Sequence, residues 1–111
     1  MLERLFGNQN TEKILFFLLE NDKCYGTQLS KYFESALSGF QNTLDKLEYA
    51  GVLVSFLEGR TRIYQFNPTY PFLNELTNLL KRAYEFLPDD IKEKYYEKRV
   101  RRRPRRKGKP L

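Results

Sequence analysis

Apolar residues recur every three or four positions through the first half of the chain, and that spacing predicts short amphipathic helices. Leu2 to Phe6 reads as one opening helical turn, closed by Gly7. Asn10 or Thr11 stands where a side-chain oxygen caps the next helix, which runs to about Asn21. Ile14, Leu15, Leu18 and Leu19 form its apolar stripe, with Phe17 beside it. After the turn Asn21-Asp22-Lys23, Cys24-Tyr25 reads as one short strand. Thr27 then caps a helix from Gln28 to about Phe33, with Leu29 and Phe33 inward, and Glu34 to Ala36 forms a turn. A third helix runs from about Leu37 to Ala50. Its buried face is Leu37, Phe40, Leu44 and Leu47, and Ser38, Gln41, Asn42 and Asp45 occupy the opposite face. Gly51 ends it at the usual left-handed position.

The pattern then changes. Val52 to Leu57 and Arg62 to Phe66 are two apolar-rich runs separated by Glu58-Gly59-Arg60-Thr61, the signature of a hairpin. Asn67-Pro68 ends it, and Pro71 suits the first position of another helix. Phe72, Leu76, Leu79, Ala83 and Phe86 follow a 4-3-4-3 spacing there, with Leu73, Leu80 and Leu87 alongside. Pro88 breaks that helix, and Asp89 and Asp90 open a last one from Ile91 to about Arg99.

Helix, turn, helix and then a hairpin is the order of a winged helix-turn-helix, so the predicted fold is mainly α with a small β-hairpin wing. In that arrangement the third helix enters a major groove and the hairpin tip reaches the neighbouring backbone or minor groove. Gln41 and Asn42 are the residues expected to read bases, because each amide can make two hydrogen bonds to an adenine edge. Ser38, near the helix start, suits a phosphate, and Asp45 and Lys46 complete the face. Arg60 at the wing tip is the expected minor-groove probe, with Thr61 and Arg62 as phosphate contacts. The face carries an acid and no arginine, so the module by itself should bind weakly. An ordinary solvated helix face and an ordinary hairpin are the bland counterparts of these readings.

Charge alters the picture. The net charge is +6, but residues 98–111 hold nine cations and no acid, Arg101, Arg102, Arg103, Arg105 and Arg106 among them. The preceding 97 residues carry 11 cations against 14 acids. The chain therefore reads as a mildly acidic domain, residues 1–97, with a disordered basic tail, residues 98–111. Such a tail has affinity for phosphate without sequence information. The apolar stripe from Phe72 is wider than one small domain covers, so Phe72, Leu76, Leu79, Leu80, Ala83 and Phe86 are the expected homodimer interface. No apolar run approaches the roughly 20 residues of a membrane span, and no signal-peptide pattern opens the chain, so a cytoplasmic location is expected. There is no histidine, and Cys24 is the only cysteine, so catalysis, a metal site and an internal disulfide are not expected, nor is any cofactor.

From Leu5 to about Leu87 the sequence resembles the ArsR/MarR-type winged helix-turn-helix regulators of bacteria and archaea. The resemblance rests on Leu5-Phe6-Gly7, on Gln28-Leu29-Ser30-Lys31, on the run Leu44 to Leu53 with its Leu-Glu-Tyr-Ala-Gly core, and on Gly59-Arg60-Thr61-Arg62-Ile63-Tyr64 followed by Asn67-Pro68. It implies a dimeric regulator that reads double-stranded DNA with its third helix and dimerises through its terminal helices. The paired Cys and His ligands of the family's metal sensors are missing here, and Gln41-Asn42 and Asp45 stand where the family often has Ser-Arg and a cation. The expected function is sequence-specific DNA binding and repression by promoter occlusion. A protein-interaction adaptor with a loosely nucleic-acid-binding tail, or an RNA-binding protein, are the alternatives.

Overall fold

The computed structural model describes residues 1–97. In chain order the elements are α1 (Glu3–Phe6), α2 (Gln9–Asn21), α3 (Gly26–Phe33), α4 (Leu37–Tyr49), β1 (Leu53–Glu58), β2 (Thr61–Phe66), α5 (Leu73–Glu85) and α6 (Asp89–Ile91). A π-helical stretch, Lys92–Glu97, continues from α6.

The helix ends show which local signals prevailed. Asn8, rather than Asn10 or Thr11, caps α2: its Oδ1 accepts from the Thr11 N–H at 2.8 Å. α3 starts at Gly26, which puts Thr27 inside the helix instead of capping it, and the Gln28 Oε1 accepts from the Tyr25 N–H at 3.2 Å. Pro71 lies two residues before α5 begins, not at its first position. The turn between α3 and α4 passes through Glu34 at φ +54, a left-handed conformation usually left to glycine.

α4 ends as its sequence predicts. Gly51 takes φ +88, its N–H donates to the Glu48 carbonyl at 3.0 Å, and the Val52 N–H donates to the Leu47 carbonyl at 3.0 Å. The chain leaves directly into β1, which pairs antiparallel with β2 from Leu53↔Phe66 to Glu58↔Thr61. The hairpin loop is Gly59-Arg60, and Gly59 supplies the positive φ, +64, that the first loop position needs. Asn67 fastens the base of the hairpin to the helix end: its side chain donates to the Gly51 carbonyl and its N–H to the Val52 carbonyl, each at 2.9 Å. The short strand expected at Cys24 is a single bridge, with both backbone hydrogen bonds exchanged with Tyr64.

The core centres on α2. Five consecutive residues, Ile14 to Leu18, are buried, so the helix is covered on most of its circumference. Helical periodicity named Ile14, Leu15 and Leu18 correctly but missed Phe16, which is fully buried, and overstated Leu19, which is half-buried. Phe16 is covered because the C-terminal segment folds back over α2. The Tyr96 ring meets Phe16 edge-on at 5.6 Å, the Tyr95 ring stacks on Phe33 at 5.3 Å, and the Tyr84 hydroxyl donates to Glu97 at 2.9 Å. Glu20 lies under this segment, and burial, then the nearby Glu97 charge, raises its pKa.

The 4-3-4-3 stripe of α5 divides between two environments. Leu80 and Ala83 are buried in the chain's own core, and Leu76 packs on its edge. Leu80 and Ala83 therefore have no surface to offer a partner, contrary to the expected interface. Phe72, Leu79 and Phe86 remain exposed at intervals of seven residues. Among the described residues no helix is long and apolar enough to cross a membrane.

Candidate nucleic-acid interface

The polar face of α4 is built on a well-buried helix. Phe40 and Leu44 are fully buried, and Thr43 is buried with its hydroxyl donating to the Gly39 carbonyl at 2.9 Å. Leu37, expected inside, is 43% exposed: it is the first residue of α4 and is covered on one side only, by Gly26 at the start of α3. With those anchors set, Ser38, Asn42, Asp45 and Tyr49 fall on one stripe at i, i+4, i+7 and i+11, and all four are exposed.

Gln41 does not stand free on this stripe. Its amide donates to the Tyr64 hydroxyl at 3.0 Å and to the Asp45 Oδ1 at 3.3 Å, while its Oε1 end lies close to the bare Cα of Gly26. The Tyr64 hydroxyl in turn lies 3.4 Å from Asp45. Burial pushes the Tyr64 phenol above its ordinary pKa, with the Gln41 hydrogen bond opposing, so the phenol stays a donor. Tyr64 belongs to β2. The three side chains join the hairpin to α4, so the Gln41 amide is engaged within the protein. Asn42 makes no side-chain hydrogen bond among the described residues and is the freer amide.

A second tie joins the same elements. Arg62 donates to the Ser55 hydroxyl at 3.0 Å, and that hydroxyl donates to the Glu48 carboxylate at 2.6 Å. Arg62 is thus tied to α4 through the Ser55 hydroxyl. Arg60 and Thr61, at the loop, are exposed. Arg101, Arg102, Arg103, Arg105 and Arg106, with the rest of the basic tail, lie outside the described residues.

Two residues absent from the sequence-based site belong here on geometry. Tyr49, the last residue of α4, is 95% exposed on the outward stripe, with no ring or hydrogen-bond partner among the described residues. Its place in the i, i+4, i+7 series was visible in the sequence. Lys13 comes from α2 and lines an open cleft with Lys46 and Asn42. Nothing in the local sequence could have put it there.

The wing base also holds Cys24, 1% exposed, whose thiol burial pushes up to about 12. Only the thiolate is nucleophilic, so the native protein is expected to resist a disulfide reagent near neutral pH and to react once unfolded. Because the folded value lies above that of the free thiol, the thiol adds stability below pH about 9 and loses that contribution as pH rises toward about 12. Rapid native labelling in a stopped-flow thiol assay would contradict the burial.

No family model matches the chain, and no curated protein matches it either. Solved structures do. HlyU from Vibrio cholerae N16961, in its reduced form, superposes with a TM-score of 0.59 at 26% identity, over 75% of this chain and 84% of that one. The MarR family transcriptional regulator SPO1453 from Silicibacter pomeroyi DSS-3 gives 0.54 at 24% identity, over 75% of this chain and 61% of that one. The adhesin competence repressor AdcR from Streptococcus pyogenes gives 0.51 at 17% identity, over 89% and 80%. With its helical core and two-stranded hairpin, this chain has the winged-helix fold found in transcription regulators.

Proposed function

We propose that this protein is a DNA-binding transcriptional regulator of the ArsR/MarR type that lays α4 in a major groove and its hairpin against the adjoining backbone. The observation that carries the reading is the exposed stripe Ser38, Asn42, Asp45 and Tyr49, held beside the wing by the Tyr64–Gln41–Asp45 ties. A solvated helix face has no need of such bracing. Asn42 is the principal base reader, with Gln41 engaged only after it exchanges its protein partners. Arg60 enters the minor groove, while Thr61, Arg62, Ser38 and Lys46 contact phosphates. The basic tail adds affinity without sequence preference. Repression follows if the bound site overlaps a promoter, and a regulator of this kind acts in the cytoplasm. The fold's occurrence in a MarR family regulator and in a competence repressor agrees with this reading.

Selection from a random duplex pool tests it. A preferred sequence should emerge, and Asn42→Ala or Arg60→Ala should reduce the ratio of selected to random affinity by about 5- to 150-fold, the range for one base contact of about 1–3 kcal/mol. Ratios unchanged in both variants would mean that helix and wing do not read sequence.

The protein acts as a homodimer in this reading, through Phe72, Leu79 and Phe86, with Leu76 at the edge. Those three side chains are 61%, 40% and 66% exposed, too apolar a row to leave in water. Replacing Leu79 and Phe86 together with Glu should convert a dimer to a folded monomer in light scattering. A wild-type protein already monomeric at micromolar concentration would remove the dimer from the proposal.

A protein-docking module is the second reading, because two large apolar side chains are left in water, Leu57 on the wing at 60% exposed and Tyr49 at the end of α4 at 95%. It requires a stoichiometric partner that survives nuclease treatment.

A further inference from the structure

We infer that the cleft between the start of α2 and the flank of α4 is a phosphate-binding site, filled by the backbone of the bound duplex. The inference rests on the DNA-binding reading and answers a question it raises. A duplex lying on α4 meets Arg60 and Arg62 on the hairpin side, but the outward stripe itself carries no cation. Gln41 and Glu48 turn toward the hairpin through Tyr64 and Ser55. Asn42 and Lys46 lie on the other side of the stripe, where α2 comes alongside.

The cleft there has a volume of about 460 Å³ and an opening to solvent. Lys13, Lys46, Asn10, Asn42 and Ser35 line it, and no acid does, although the domain as a whole has more acids than cations. Gly39 leaves the helix surface bare at this point, and a Cβ there would come within 2.9 Å of the Asn10 amide nitrogen. The side chains of Asn10, Asn42 and Lys46 have no hydrogen-bond or ion-pair partner among the described residues. The Lys13 ammonium sits 5.4 Å from the centre of the Phe33 ring and likewise lacks a carboxylate. Two ammonium groups and the Asn10 amide therefore present donors to one acid-free space, with the base-reading Asn42 beside it, and the chemistry that satisfies donors and charge together is an oxyanion. The position beside Asn42 makes a DNA phosphodiester the natural occupant. Free phosphate offers the same oxygens and is the alternative source.

The test compares full-length protein with Lys13→Gln/Lys46→Gln and with Lys13→Arg/Lys46→Arg. Binding to a random-sequence duplex is measured over a series of salt concentrations, and thermal melting verifies that each variant folds. The Gln pair should weaken binding about tenfold or more and flatten the log–log salt slope by about 1.8, at roughly 0.9 per lost phosphate contact. The Arg pair should restore both. The selected-to-random ratio should stay as in wild type, since phosphates carry no sequence. In a second arm, millimolar inorganic phosphate is added without DNA while the side-chain amide signals of Asn10 and Asn42 are followed by NMR. Saturable shifts there would assign the same site to the free ion. An unchanged salt slope in the Gln pair, with no saturable amide shift, overturns the inference. If selection finds no preferred duplex, the regulator reading falls while the cleft is still decided by the random-duplex and phosphate arms.

Discussion

Deleting residues 98–111 should cost more DNA affinity than any single substitution in the domain. Nine cations leave with that segment. Each phosphate contact contributes about 0.9 to the slope of log affinity against log salt, so full engagement of the tail would account for a slope of about 8. An intact protein using six to ten such contacts should lose roughly 10³- to 10⁵-fold between 50 and 200 mM salt. The truncated protein keeps only the contacts of Lys13, Lys46, Arg60, Arg62 and their neighbours, and should show a slope about half as steep or less. Its preference for selected over random sequence should survive, because the lost contacts carry no base information. Fluorescence anisotropy titrations over a salt series measure both quantities. An identical slope in the two proteins would show that the tail does not touch the duplex.

Phe16→Ala should be the most damaging single change to the fold. The side chain is fully buried, with ring contacts to Tyr96 at 5.6 Å and Tyr84 at 5.9 Å. Removing a buried Phe typically costs about 3–5 kcal/mol, transfer and cavity terms together. Small domains have total stabilities near the low end of about 5–15 kcal/mol, so the variant stands at the edge of unfolding. The C-terminal segment should loosen first, because Tyr96 rests on the removed ring. Leu5→Ala is the control: the residue is 66% exposed and outside the proposed dimer row, and its loss should change stability by less than about 0.5 kcal/mol. Urea unfolding of the two variants decides the matter, and similar midpoints for both would mean that the C-terminal segment does not seal the core over α2.

Much of this architecture was legible because its signals are local. Gly51 and Gly59 stand where positive φ is required, and both take it, so the end of α4 and the hairpin loop followed from residue type. The change from helical spacing to paired strands located β1 and β2 to within about one residue. Caps were less legible: Asn8, Asn10 and Thr11 are all competent by chemistry, and only the entry angle of the chain selects Asn8. Burial along α5 was legible as a stripe but not as a division, since Leu80 and Phe86 look alike in a periodic pattern.

The candidate interface separates in the same way. Its face, its wing and its shortage of cations follow from the sequence, because the face of a helix and the tip of a hairpin are set by spacing along one segment. Which side chains remain available on that face was decided by contacts between segments. Gln41 and Asn42 are adjacent amides with equal chemistry, yet Tyr64, 23 residues on, holds one and leaves the other. Lys13, on an earlier helix, reaches the flank of α4 only because the start of α2 packs there, with Asn10 against Gly39. Spacing along a chain determines which residues share a face. Packing between elements determines which of them are already satisfied, and that needs distances no local pattern encodes.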